Sequence, residues 1–292
     1  MDEKALKLRG YVSPEDFKGS DTERLQSALD TAHELDINKV IVKGDIKLSN
    51  TVLIPESMEV IFYDASVSAE GDFPLFVNAG YKTKAKNIAL EDDLIYIKGE
   101  NSVLNGDINF YNASRYVVEK IRINGKIFAE YSRWGRIEYV DFCGENAIIF
   151  GRGCNKTIVQ YINAETTDTA VIMDTSESFG DYCVGKDADI HEIILRSSKI
   201  MLPKVPTGYD NANDNKAEER PAAITLDATA ENGFFNCVID TVETNALPVE
   251  ISAKAGELDC ERYRDLTVNC FSSPINPSVK VHSPTKHCLM DI

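Results

Sequence analysis

An internal repeat constrains the fold of this chain more than any other feature of its sequence. Four apolar segments align without gaps, at spacings of 23, 53 and 25 residues. They run over residues 147–151, 170–174, 223–227 and 248–252. A second series places an apolar residue before Asn or Asp, at Ile123-Asn124, Val140-Asp141, Ile162-Asn163, Ile239-Asp240 and Val268-Asn269. Two strand types that share a period of about 22 residues indicate stacked coils, each carrying more than one strand.

The repeat also predicts which side chains stack inside such a solenoid, because side chains alternate between the two faces of a strand. The first interior column should hold Ile148, Val171, Ile224 and Val249. The second should hold Phe150, Met173, Leu226 and Ile251. The Asn/Asp series should lie at a tight turn, where these residues tolerate left-handed backbone. Ile149 and Ile172 would then point outward as a small apolar stripe, which predicts a homo-oligomer.

One amphipathic helix is predicted before the repeat, at residues 20–36. Ser20 and Glu23 match a capping box, and apolar residues recur at helical spacing from Leu25 to Leu35. Short β-type runs follow it, without helical crossovers. We therefore expect a single domain over residues 1–292, in four parts. These are an arm (1–19), a capping helix (20–36), a β-helix (37–275) with insertions near 176–189 and 203–220, and a C-terminal tail (276–292).

Composition limits the binding partners that we expect and the cellular compartment in which the protein is made. The formal net charge of −16 repels nucleic-acid phosphates and anionic lipid, so we expect neither nucleic acid nor membrane as a partner. Met1 is followed by charged residues, and no apolar run of signal-peptide or membrane-spanning length occurs. Seven cysteines form no Cys-x-x-Cys pair, which predicts reduced thiols. These features predict a protein made in the cytoplasm without a signal peptide, as virion and phage-tail proteins are.

The N-terminal segment resembles the opening of pectate-lyase-like superfamily proteins. Residues 13–29 read Ser-Pro-Glu-Asp-Phe-Lys-Gly-Ser-Asp-Thr-Glu-Arg-Leu-Gln-Ser-Ala-Leu, and residues 39–48 read Lys-Val-Ile-Val-Lys-Gly-Asp-Ile-Lys-Leu. The family opening has Asp-Phe-Gly-Ala, then Asp-Asp-Thr with an Ala-Ile-Gln-x-Ala-Leu helix, then two strands around Pro-x-Gly. The match covers residues 13–63. The resemblance implies an all-β fold, a right-handed single-stranded parallel β-helix, shared by glycoside hydrolases, polysaccharide lyases and phage tail-spike proteins.

The resemblance leaves the activity open, since one fold hosts many functions. The chain lacks the Asn-Thr-Asp, Gly-His-Gly and Arg-Ile-Lys signatures of polygalacturonase-like enzymes, and it lacks a calcium-binding aspartate group beside a catalytic arginine. Three classes of function therefore stand side by side: a polysaccharide hydrolase or lyase, a non-catalytic binding or structural module of a phage tail, and an internal scaffold unrelated to sugars. The first two share a polysaccharide or surface glycan as partner.

Three aspartates are the candidate catalytic residues: Asp168, Asp174 and Asp227. All three lie at the ends of the aligned strands. Stacked strands are about 4.8 Å apart, so carboxylates on neighbouring coils can reach the separations of about 5 to 9.5 Å that glycoside hydrolysis requires. The alternative is a solvated ladder of turn residues in an acidic protein.

An aromatic and basic segment contains Tyr131, Arg133, Trp134, Arg136 and Tyr139, and the first four of these are the candidate substrate-binding residues. An exposed indole beside arginines suits a sugar ring and its hydroxyl or carboxylate groups. The alternative is a large residue that fills a coil corner, with the arginines paired to nearby acids. The four histidines match no familiar ligand spacing, and Asp210, Asn213 and Asp214 lack the Gly and distal Glu of an EF-hand. We therefore expect no metal and no cofactor.

Overall fold

A computed structural model describes residues 3–80, 94–176, 188–202, 221–229, 232–245, 247–253, 263–264, 266–272 and 279–281. The predicted insertions lie almost entirely outside these residues, as does most of the predicted tail. Helix α1 spans Glu3–Arg9, and helix α2 spans Asp21–Glu34. A short 3-10 turn, Pro14–Asp16, lies between them. Among the described residues, no helix has the length and apolar character needed to cross a membrane.

Helix α2 confirms the predicted helix and its capping box. The side chain of Ser20 accepts from the Glu23 amide, and the Glu23 carboxylate accepts from the Ser20 amide at 2.8 Å. The buried face carries Leu25, Ala28, Leu29 and Ala32. It packs on the first two strands of the chain. The helix therefore covers part of the first coil, while its role as a cap stays a prediction.

Strands make up most of the remaining described residues, and every strand pair among them is parallel. The first sheet contains β1 (Lys39–Leu48), β3 (Met58–Ala69), β5 (Leu94–Glu100), β6 (Val103–Asn105), β8 (Arg115–Glu119), β9 (Arg122–Ile123), β11 (Gly135–Glu138), β12 (Asp141–Gly144), β14 (Asn155–Gln160), β15 (Asn163–Thr166), β17 (Ile190–Met201), β19 (Phe234–Phe235), β20 (Val238–Thr244), β22 (Tyr263–Arg264) and β23 (Thr267–Ser272). The second sheet contains β2 (Val52–Ile54), β4 (Phe76–Asn78), β7 (Ile108–Tyr111), β10 (Ile127–Glu130), β13 (Ile148–Phe150), β16 (Val171–Asp174), β18 (Ala222–Ala228), β21 (Leu247–Ala253) and β24 (Val279–Val281).

The strand register is that of a parallel β-helix, in which successive coils stack their strands in order. Strand β13 pairs with β16, β16 with β18, and β18 with β21. The register partners Ile148, Val171, Ile224 and Val249 are all fully buried, as are Phe150, Met173, Leu226 and Ile251. Both predicted interior columns are thus confirmed. The right-handed sense of the coil stays a prediction.

The prediction for the Asn/Asp series is wrong in part, because the series mixes residues from different columns. Asp141 does pair with Asn163, but Asp240 pairs with Asn269 in another ladder of the same sheet. The left-handed residue of this corner is instead Tyr139 or Tyr161, two positions earlier, each with φ of 55°. Since an apolar residue followed by Asn or Asp occurs at several corners of a coil, the local pattern alone does not identify one column.

Candidate functional site

Two of the three predicted catalytic aspartates are register partners in adjacent strands of the second sheet. Asp174 ends β16, and Asp227 is its register partner in β18. Asp174 is 1% exposed, and its Oδ1 accepts from the amide and the hydroxyl of Ser176 at 2.7 and 2.6 Å. Asp227 is half-buried. Neighbouring strands hold their backbones about 4.8 Å apart, so the two residues occupy adjacent positions on neighbouring coils.

Asp168 does not join this pair. It lies in the turn before β16, exposed, where its Oδ1 accepts from the Thr169 amide at 2.7 Å. It precedes Asp174 by six positions, on the other side of β16 from the end that carries Asp174. A short polar side chain bonded to the next amide is a common way to stabilise a turn. The geometry of Asp168 therefore matches the turn-residue alternative.

Trp134 stands among cations at a corner of the coil. It is 42% exposed and has left-handed backbone, with φ of 52°. The guanidinium carbons of Arg133 and Arg115 lie 4.8 and 5.8 Å from its ring centroid, and Lys156 Nζ lies at 5.7 Å. Cation–π contacts of this kind stabilise the indole where it is and occupy its faces. A sugar ring on Trp134 would have to displace these side chains.

The other two predicted binding residues, Tyr131 and Arg136, make different contacts. Tyr131 packs against an outer apolar cluster of Val77, Tyr111 and Phe128. Arg136 lies 3.6 Å from Glu138 and 3.9 Å from Glu119. Arg136 therefore follows the alternative of pairing with acids.

Glu130, which precedes Tyr131 in the chain, has a fully buried carboxylate. Glu130 is 0% exposed, and Arg152 Nε donates to its Oε1 at 2.9 Å. The same guanidinium lies 5.5 Å from the centroid of the Tyr131 ring. Because burial without a partner would cost several kcal/mol, the pair is a structural unit that holds Tyr131 in place.

Burial also affects a phenol on the outer face of the first sheet, near Arg136. Burial raises the pKa of Tyr96, and the hydrogen bond and negative charge of Glu119 raise it further. Glu119 also lies 3.6 Å from Lys98. Tyr96, Lys98 and Arg136 therefore form a network of paired groups around Glu119.

The described residues also form an open groove that the sequence did not predict, although Tyr139, one of its residues, belongs to the predicted aromatic and basic segment. It runs along the corner where each coil turns between two strands of the first sheet. At this corner Tyr139 and Tyr161 are 52% and 45% exposed. Their ring centroids lie 4.9 Å apart with an interplanar angle of 11°, so the phenol rings stack along the axis of the solenoid.

Three adjoining clefts, of about 470, 570 and 380 Å³, make up this groove. They share residues with one another, so the surface is continuous. We call it the tyrosine groove and define it by Lys120, Arg122, Tyr139, Asp141, Tyr161, Asn163, Ser197, Lys199, Thr241 and Glu243.

The polar groups of the tyrosine groove both donate and accept hydrogen bonds. Asn163 Nδ2 donates to Asp141 Oδ1 at 2.8 Å, and Lys199 Nζ lies 3.1 Å from Glu243 Oε1. These contacts join neighbouring coils across the floor of the groove. The sequence signal for the groove was present: a tyrosine precedes Val140-Asp141 and again precedes Ile162-Asn163, 22 residues later. It was missed because tyrosine is not a residue expected at left-handed backbone.

Comparisons with known proteins yield structural likenesses only. No protein-family model and no curated protein matches the chain. Among solved structures, a tailspike protein mutant of E. coli bacteriophage HK620, in complex with a pentasaccharide, is similar at 10% identity and a TM-score of 0.40. The match covers 95% of this chain and 68% of the tailspike chain.

Two carbohydrate-active enzymes are also similar at 10% identity. Endo-xylogalacturonan hydrolase from Aspergillus tubingensis has a TM-score of 0.35, with 91% of this chain and 96% of the hydrolase covered. The catalytic domain of a GH87 alpha-1,3-glucanase, in complex with tetrasaccharides, has a TM-score of 0.31, with 93% and 67% covered. At these low TM-scores, the function of this chain is inferred from its own residues.

Proposed function

We propose that this chain is a carbohydrate-directed β-helix protein that binds a polysaccharide or surface glycan along the tyrosine groove. The observation that carries the proposal is the pair of exposed, parallel phenol rings at Tyr139 and Tyr161. Aromatic rings offer a rigid apolar face that a sugar ring can cover, and the phenol oxygen adds a polar edge. A stacked solenoid repeats such a platform along its axis, as an extended polymer requires.

The charges of the groove fit a partner rich in hydroxyl groups. Lys120, Arg122 and Lys199 donate, while Asp141 and Glu243 accept, and the signs alternate along the surface. A hydroxyl group both donates and accepts, so it can bond to either sign. A nucleic acid would instead favour a groove of uniformly positive charge. The polar lining therefore supports a glycan over a nucleic acid.

A glycan-binding assay on the whole chain tests this function. The panel contains neutral oligosaccharides, uronate-containing oligosaccharides and bacterial surface polysaccharides. We expect at least one to bind, and the double change of Tyr139 and Tyr161 to Ala to weaken that binding about tenfold or more, since stacking contributes about 1 kcal/mol or more per ring. The matched control is Tyr63→Ala, a tyrosine of comparable exposure outside the groove. Failure of the whole panel to bind would reject the function and favour an internal scaffold.

Catalysis at the outer wall is a second candidate function, supported by the register pairing of Asp174 with Asp227. Retaining glycosidases use two carboxyl groups about 5 to 5.5 Å apart, one as acid and one as nucleophile. In this proposal Asp174 and Asp227 supply the two groups, and Asp168 is not required. The test changes each aspartate singly to Asn and measures both glycan release and glycan binding. Lost release with retained binding supports catalysis, whereas an unaltered protein that binds but never releases sugar is a binding module.

The proposal extends to assembly and location. Ile149 and Ile172 are register partners, and both lie between the inward residues of their strands, on the outer wall beside the apolar cluster at Phe128. We propose that this wall joins copies of the chain in a homo-oligomer, a trimer as in tail spikes, and that the assembly is part of a phage tail. The trimer is tested by mass, as described below.

A further inference from the structure

We infer that the cleft beside Tyr161 is a subsite for one pyranose ring, which continues the tyrosine stack where the chain itself provides only small side chains. The inference rests on the proposed glycan-binding function and assigns the contact between one sugar ring of the glycan and Tyr161. It follows from three features: the repeated corner geometry, the point at which the tyrosine stack ends, and the polar groups around that point.

The corner of the coil repeats one backbone geometry through successive coils. The left-handed residues at this corner all have φ between 48° and 56°, and they are Asp64, Asn101, Lys120, Tyr139, Tyr161, Ser197 and Thr241. Such uniform backbone projects each side chain from the same place on its coil. Residues at this corner therefore lie above one another at the coil spacing, about 4.8 Å. The 4.9 Å between the centroids of Tyr139 and Tyr161 matches that spacing.

The tyrosine stack ends abruptly at the next coil. The amide of Tyr161 donates to the carbonyl of Ser197 at 3.1 Å, which places Ser197 directly above Tyr161. Thr241 occupies the same corner one coil further on, since Arg196 pairs with Asp240 and Ser198 with Val242. The outer face of the Tyr161 ring is therefore not covered by a third ring from this corner. The cleft of about 570 Å³ is lined by Tyr161, Ser197 and Thr241 together.

Ser197 has a small side chain at the position where a third ring would stack. A sugar ring placed there would lie at stacking distance from the Tyr161 ring. The polar side chains that line the cleft indicate which kind of ring it can bind. Asn163, Lys199 and Glu243 line the same cleft and present amide, ammonium and carboxylate groups to its edge. A pyranose has apolar faces and a rim of hydroxyl groups that donate and accept, which suits both the phenol face and this edge.

The experiment fills the subsite with a side chain that the corner already accepts. Ser197→Tyr places a third ring on the stack, and Tyr139 and Tyr161 show that tyrosine tolerates this backbone. Tyr161→Ala removes the platform instead. Ser197→Phe is a second filling variant, used if Ser197→Tyr lowers the melting temperature. The matched controls are Asp64→Tyr, which adds a tyrosine at the same corner outside the groove, and Tyr63→Ala.

Affinities are measured by calorimetry with the tightest-binding oligosaccharide of the panel described above. We expect Tyr161→Ala and the filling variants to weaken binding about tenfold or more, and both controls to stay within about twofold of the unaltered protein. If the glycan binds but Tyr161→Ala and the filling variants keep its affinity, or a filling variant tightens it, the subsite is wrong while the proposed function stands. If no oligosaccharide of the panel binds, both are wrong.

Discussion

At the scale of single residues, the corners of the coil show what side-chain type predicts and what it does not. Asn and Asp were expected at left-handed backbone, and Asp64 and Asn101 are found there. Tyr139, Trp134 and Tyr161 adopt the same backbone, at a cost of about 1 kcal/mol or more each for a residue with a Cβ. Stacking on neighbouring rings and cations offsets that cost. Such compensation depends on contacts between coils, so no residue type reveals it in the sequence.

Gly135 is a position where the close approach of a neighbouring coil restricts the residue type to glycine. A Cβ at this position would overlap the ring of Tyr116, which is fully buried and stacked on Phe110 with centroids 4.5 Å apart. We predict that Gly135→Ala lowers the free energy of unfolding by about 1 to 3 kcal/mol, the usual cost of overpacking a core. Urea denaturation followed by circular dichroism measures the change.

The matched control for this prediction is Gly144→Ala, in a neighbouring strand. The nearest atom to a Cβ at Gly144 lies 3.5 Å away, and its φ is not left-handed. We expect its stability to stay within about 0.5 kcal/mol of the unaltered protein. Equal destabilisation by both changes would contradict the account of Gly135.

At the scale of elements, the N-terminal helix follows from the sequence, whereas its contacts with the solenoid do not. The capping box and the apolar spacing are local, so they predicted α2 nearly to the residue. The polar face of the helix also contacts the first coil: Asp21 Oδ2 accepts from the Lys47 amide, and Thr22 Oγ1 accepts from the Ser49 amide, both at 2.8 Å. These contacts join residues 26 and 27 positions apart, a separation that sequence periodicity does not report.

Gln26 provides the clearest test of α2 as a cap. Its amide accepts from the Leu53 amide at 2.8 Å and donates to the Leu53 carbonyl at 3.0 Å, in place of a further strand. We predict that Gln26→Ala lowers stability by about 1 to 2 kcal/mol and speeds hydrogen exchange of the Leu53 amide, because both backbone groups lose their partner. Glu34→Ala, at the exposed end of the same helix, is the control. Unchanged exchange at Leu53 would reject the capping role.

At the scale of the whole molecule, the internal repeat was sufficient to predict the fold but not the arrangement of the surface residues. Inward positions are constrained by burial in every coil, so the columns at Ile148 and Phe150 could be predicted from spacing alone. Outward positions carry no such constraint. The register pairing of Asp174 with Asp227 follows from the register of those columns, whereas the ion pair of Arg136 depends on Glu119 in another coil. The tyrosine groove likewise arises only when coils stack.

The proposed trimer is tested by the mass of the protein in solution. The chain has a mass of 32.4 kDa. We predict that light scattering at micromolar concentration gives about three times that mass. Changing Ile149 and Ile172 together to Thr should then lower it, because these outward residues would lose apolar contact across the interface. Thr at both positions preserves the β-branched shape, so the strands should still form. A monomer mass for the unaltered chain would contradict the assembly.

Glycan binding along the tyrosine groove is the central claim, and a crystal structure with the tightest-binding oligosaccharide tests it most directly. The account predicts sugar density along the corner of the coil, with one pyranose ring stacked about 4 to 5 Å from the Tyr161 ring, at the level of Ser197. Density at the Asp174–Asp227 wall or over Trp134, with the tyrosine groove empty, would contradict it.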